Sequence, residues 1–173
     1  DLGYPTNGFI LPPLRNHQHT VKIQNPLDNG MLFAVKATTL TEQRAANKAS
    51  LNERVDAVAD MVNKSDESWL IWCNLNYESE ALTDAITDAV EVKGSDSSEH
   101  KESAMLGFSD GDIRVLITKP SIAGFGMNWQ HCRNMIFVNY GFWTYIYPNK
   151  SHPNTTTLHL RLQFAIFSLT SGK

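Results

Sequence analysis

Between residues 119 and 129 the chain reads Lys-Pro-Ser-Ile-Ala-Gly-Phe-Gly-Met-Asn-Trp. Gly124 and Gly126 free the backbone to approach a ligand closely and to take dihedrals closed to other residues. Lys119, Ser121 and Asn128 add an ammonium, a hydroxyl and a carboxamide on the same short stretch. Backbone donors, side-chain donors and one positive charge are the parts of a phosphate contact. The competing reading is a tight strand-to-helix turn, with the glycines serving geometry and Trp129 packed in the core. Complete phosphate cradles are lacking. The pattern G-x-x-x-x-G-K-[ST] fails in "GSDSSEHK" (94–101), which lacks the second glycine, and in "GFGMNWQH" (124–131), which lacks the lysine. The run Gly124-Phe125-Gly126 also lacks the third glycine of a dinucleotide fingerprint.

Other reactive residues carry less. His17 and His19 have the spacing of a metal pair but no third ligand nearby, so no metal site is assigned. His131-Cys132 has no orienting carboxylate close in sequence, and packing is the simpler role. Asp110 and Asp112 read as a solvated turn, and Trp69 and Trp72 as core. No catalytic residue is assigned.

These residues need elements to hold them. The Asn-Gly of "NPLDNG" (25–30) suggests a hairpin between strands over 19–24 and 31–37. Helical spacing of Leu51, Val55, Val58, Ala59 and Val62 predicts helix over 39–64, broken near Ser50, with Thr39/Glu42 and Ser50/Glu53 at capping-box distance. "WLIWCN" (69–74) is too short for a helix and suits a strand buried on both faces. Asn76 is placed to cap the helix that follows. A strand over 89–94, a helix over 96–108 opened by Asp96 and Glu99, and strands over 112–118 and 134–140 complete an alternating pattern. That pattern is α/β, a parallel sheet with covering helices. In such sheets ligands sit at the carboxyl ends of the strands. Three loops then stand out: 74–80, 93–101 and 119–132.

The whole chain sets the outer bounds. It has 173 residues, a net charge of -3 and a hydrophobic fraction of 42%. This suits one globular domain and no global basic field. Two distant cysteines, Cys73 and Cys132, suggest a reduced, intracellular protein. No run of about 18 apolar residues occurs and no signal peptide is visible, so no membrane partner is expected. The chain starts at Asp1, in keeping with a piece of a longer protein. Residues 157–169 could form a strand but fit poorly with what precedes them.

Taken in order, residues 69–82 and 90–140 resemble the C-terminal RecA-like lobe of superfamily 2 helicases, closest to phage and Swi/Snf-type helicase-like ATPases. The resemblance runs from about residue 8 to residue 140. It implies a three-layer RecA-like parallel sheet with helices on both faces, preceded by an N-terminal hairpin and linker. The domains implied are a linker over 1–38, the lobe over 39–141 and a divergent tail over 142–173. "WLIWCNLN" is similar to motif IV. Gly94 and Ser95 match a loop that relatives place near the nucleic-acid backbone, and Lys101 stands where many carry arginine. Ser121, Gly124, Gly126 and Asn128 match motif V. The resemblance therefore implies nucleic-acid contacts for Gly94, Ser95, Lys101, Lys119 and Ser121, and nucleotide contacts for Gly124, Gly126 and Asn128.

The implied function is the second motor lobe of an ATP-dependent DNA helicase or translocase. ATP and Mg2+ would be bound only in the intact two-lobe protein. The implied partners are DNA, with RNA as the alternative, and an N-terminal lobe of the same protein. The implied setting is the cytoplasm of a bacterial or phage-infected cell. One departure matters. A Gln-x-x-Arg-x-x-Arg segment, which supplies an arginine finger in the family, should follow residues 134–140, and Arg161 does not match it. The expectation is that residues 142–173 are frame-shifted or truncated relative to the family, and that this piece alone does not hydrolyse ATP. Two other readings stand beside it: a non-catalytic nucleic-acid-binding or interaction module, and a different nucleotide-binding α/β enzyme.

Overall fold

Short apolar runs here become strands and longer amphipathic runs become helices. The computed structural model describes residues 14–19, 21, 39–127, 129, 131–138, 145–148, 156–159 and 162–167. In chain order these form β1 (Leu14–His19), α1 (Leu40–Ala49), α2 (Leu51–Val62), β2 (Trp69–Trp72), α3 (Asn76–Ala85) and β3 (Ala89–Glu91). Then follow α4 (Ser98–Asp110), β4 (Val115–Thr118), α5 (Pro120–Ala123), β5 (Asn134–Phe137), β6 (Tyr145–Pro148), β7 (Thr156–His159) and β8 (Leu162–Phe167).

Six strands make one sheet in the order β1-β8-β5-β2-β4-β3. β5, β2, β4 and β3 run parallel, as the alternating pattern predicts. This parallel unit is compatible with a RecA-like architecture. The other two strands depart from expectation. β8 lies antiparallel on β5, and β1 antiparallel on β8. The stretch read as a divergent tail thus supplies a strand to the same sheet as the parallel strands. β6 and β7 pair separately.

All four residues of β2 are buried, and they divide between two apolar clusters. Trp69 and Ile71 join Val55, Val58 and Val62 of α2 and Leu82 of α3. Leu70 and Trp72 join Ala104 and Phe108 of α4. This explains an apolar run without alternation, because both faces of the strand are covered. Burying a side chain such as Ile71 fully is worth about 1.5–3 kcal/mol.

Several local expectations are corrected. The helix break at Ser50 is present, but Ser50 forms no side-chain cap, and its hydroxyl donates to the Asn47 carbonyl at 3.3 Å. Asn76 lies inside α3 rather than capping it; Glu78 instead accepts the Leu75 N–H at 3.3 Å. Helix α4 starts one residue later than the Asp96/Glu99 spacing suggests, because Ser97 is its cap, accepting the His100 N–H at 3.2 Å. Its far end is closed by Gly111 at φ +86°. Of the strand expected over 19–24, His19 closes β1 and Val21 lies outside any strand, while residues 20 and 22–24 fall outside the described residues. The partner strand expected over 31–37 falls outside the described residues.

The amino end of the sheet is tied down by Arg114. Its guanidinium donates to the carbonyls of Ser65 at 2.8 Å, Val62 at 3.2 Å and Thr87 at 2.8 Å, which joins the end of α2 to the turn after α3. The carboxyl end is left for other contacts.

Candidate functional site

The register brings the carboxyl ends of the parallel strands level. Trp72 pairs with Thr118 and with Phe137, and Glu91 with Ile117. The chain therefore leaves β2, β3 and β4 side by side, and the loops singled out in the sequence converge on one edge.

Lys119 sits where β4 passes into α5, directly after the buried Thr118. Proline at the first position of α5 suits the short helix, since its missing N–H would have no helical partner there. The half-buried Lys119 extends its ammonium to the Oδ1 of Asn76, at the start of α3 on the neighbouring strand. Ser121 is exposed in α5. The chain then turns through Gly124 and Gly126. A Cβ on Gly124 would lie 2.3 Å from the Pro120 carbonyl oxygen, so only glycine fits without backbone movement. Gly126 has φ +81°, a left-handed conformation that side chains resist. Asn128 lies outside the described residues.

The loop after β3 holds the second pair. Gly94 and Ser95 are both exposed. The Gly94 carbonyl accepts the ammonium of Lys101, from the first turns of α4, at 2.7 Å. Below it, the Asp96 carboxylate accepts the Lys93 N–H at 2.7 Å, which shapes the turn. Lys93 is held by Glu80 at 3.0 Å and Glu91 at 3.1 Å, and these contacts raise its pKa. Its charge is thus already offset, whereas among the described residues Lys101 and Lys119 donate to neutral oxygens.

Behind the loop after β2 lies a buried ion pair that the sequence reading did not single out. Arg54 of α2 and Glu78 of α3 are both fully buried and directly bonded. Arg54 also donates to the carbonyls of Asn47 at 2.6 Å and Ser50 at 3.3 Å. The other Glu78 oxygen accepts the N–H groups of Asn74 at 3.4 Å and Leu75 at 3.3 Å. This network fixes the residues just ahead of Asn76, and so fixes the partner of Lys119. A signal was present: Arg54 falls three and seven places from Leu51 and Met61 on the otherwise apolar side of its helix.

The tryptophan of the opening stretch takes the structural role weighed against ligand contact. Trp129 is half-buried, its ring meets Phe108 edge-on at 5.3 Å between centroids, and its Nε1 donates to the Ser109 hydroxyl at 2.9 Å. Cys73 and Cys132 are poor nucleophiles at neutral pH, because burial pushes each thiol up to about 11. Among the described residues no group of His, Cys, Asp and Glu could hold a metal ion, and no helix is long and apolar enough to cross a membrane.

The edge therefore offers two lysines on neutral partners, an exposed serine hydroxyl and a glycine turn. Such an edge can bind phosphate oxygens. No protein-family model matches the chain, and no curated protein matches it.

Proposed function

We propose that this chain is the second motor lobe of an ATP-dependent DNA helicase or translocase, built as a three-layer RecA-like sheet. In this reading the carboxyl edge grips nucleic-acid phosphates through Lys119, Ser121, Lys101 and the Gly94–Ser95 turn. Gly124 and Gly126 face nucleotide bound to a first lobe. The observation that carries the reading is the Lys119–Asn76 contact at the shared carboxyl edge of β4 and β2, one helical turn ahead of Gly124. An ammonium held by a neutral amide keeps its charge for an anion. Lysine and backbone contacts to phosphate ignore base sequence, as stepping along any strand requires.

The residues fit one side of a phosphate group and not a whole nucleotide site. Lys119, the Ser121 hydroxyl and the N–H groups of the 124–127 turn can donate to phosphate oxygens. No acidic cluster suited to magnesium accompanies them among the described residues. ATP and Mg2+ would be held chiefly by the first lobe, where ATP would supply the free energy for closing the cleft. A non-catalytic nucleic-acid-binding module is the second reading. One observation favours it: the chain after β5 returns to the sheet as β8, and the sequence there carries no Gln-x-x-Arg-x-x-Arg.

The test is equilibrium binding of the full chain to fluorescent oligonucleotides of unrelated sequence across a salt titration. The expected result is similar affinity for each sequence and a log–log salt dependence. Lys119→Ala should lower its slope by about 0.7 for a single strand. Absence of salt-dependent binding, or strong preference for one sequence, would sink the reading.

A further inference from the structure

Phe125 has no role in the function proposed above. Its side chain is 93% exposed, more than any other large apolar residue among those described. Singly exposed apolar residues are common and carry nothing by themselves. Two further observations give this one meaning.

The first is that the turn is held directly ahead of the ring and again at Trp129. Before the ring, the Gly124 N–H donates to the Pro120 carbonyl at 2.9 Å, and the lack of a Cβ there lets the chain pass. After it, Gly126 reverses the backbone at φ +81°, Met127 is itself partly exposed, and Trp129 anchors the return to α4. An aromatic ring held this way gives up little freedom when it meets a partner.

The second is charge. All 18 acidic residues lie within positions 1–112, alongside nine of the 15 Lys and Arg. Positions 113–173 hold the other six and no Asp or Glu. Phe125 thus belongs to an acid-free segment, with Lys119 before it and the exposed His131 and Arg133 after it. A partner suited to this segment is anionic and offers a flat apolar surface. Single-stranded nucleic acid has both, as phosphates and unstacked bases, whereas a duplex keeps its base faces covered. An anionic membrane has the charge, but one ring on a tight turn gives it little apolar area to bury.

We propose that Phe125 is a base-stacking platform for single-stranded nucleic acid, its ring standing out from the turn whose backbone at Gly124 and Gly126 is left to the nucleotide. The proposal rests on reading the lobe as one that contacts nucleic acid, and it names the strand state it takes.

The full chain is titrated against labelled oligothymidylate, a duplex of mixed sequence and phosphatidylserine vesicles. Phe125→Ala should weaken single-strand binding about 5- to 150-fold with the salt slope unchanged, and Phe125→Trp should restore it. Duplex binding should barely move, and circular dichroism melting should match the parent protein. Unaltered single-strand affinity in Phe125→Ala, an equal loss on duplex, or vesicle binding that depends on Phe125 while oligonucleotide binding does not, each overturns the platform alone. A parent protein that binds no nucleic acid at all overturns the proposed function, and the platform with it.

Discussion

Arg54 and Glu78 carry full charges where water does not reach, and each is satisfied mainly by the other and by backbone groups. Removing one charge strands its partner in a medium that solvates it poorly. Arg54→Ala should therefore destabilise the protein by about 3–5 kcal/mol, read by urea denaturation. Arg54→Met combined with Glu78→Leu should recover much of that loss, because no charge is left buried alone. A single variant as stable as the parent would show that the pair is not a structural constraint. At this scale the sequence was partly legible. Lys119, Ser121, Gly124 and Gly126 stand out by type and spacing, and they do sit together at the edge. Asn76 was read as a helix cap and proves to hold Lys119 instead. A carboxamide at a helix start can do either, and spacing along the chain cannot say which partner is nearest in space. Phe125 passed unremarked because a phenylalanine between glycines looks like any core residue until its exposure is known.

Elements were more legible than their ends. The helices around Ser50, the buried strand at Trp69 and the alternation that follows come from apolar spacing, which packing enforces. Termini depend on single hydrogen bonds and shift by a residue or two. The start of α4 is an example: Asp96 and Ser97 are both good caps by type, and only Ser97 accepts the helical N–H. Asp96 is turned to the Lys93 N–H instead. Ser97→Ala should cost about 1 kcal/mol, measured by thermal denaturation, and should fray the first turn of α4. Asp96→Ala should loosen the turn after β3 while leaving the helix start intact, which amide protection by NMR would separate. Equal fraying in both variants would mean that the two residues cap jointly. The C-terminal end of α4 was marked in sequence by Ser109-Asp110-Gly111, where glycine alone accepts the left-handed turn at low cost.

Across the whole molecule the sequence predicted parallel strands but not their order, since no local pattern records which strands are neighbours. Nor did it predict that residues 162–167 would enter the sheet, for their alternation is equally suited to a hairpin outside it. That placement has a consequence for the order in which the protein assembles. The parallel core joins segments a few dozen residues apart, such as Trp69 with Val115. The outer ladder joins Leu14 with Phe167, and closing so long a stretch of chain costs more entropy before any contact forms. β8 meets β5 across a shorter stretch of chain than separates β2 from β4, so it can condense with the parallel core. Only β1 should then form late, on a sheet already in place. In pulse-labelled refolding, amides of β2, β4 and the β5-facing edge of β8 should gain protection first and those of β1 in a slower phase; simultaneous protection would mean a single nucleus spanning the sheet. During synthesis, β1 leaves the ribosome long before its neighbour exists. It must wait as an unpaired strand edge, open to any other extended chain, until β8 arrives to cover it.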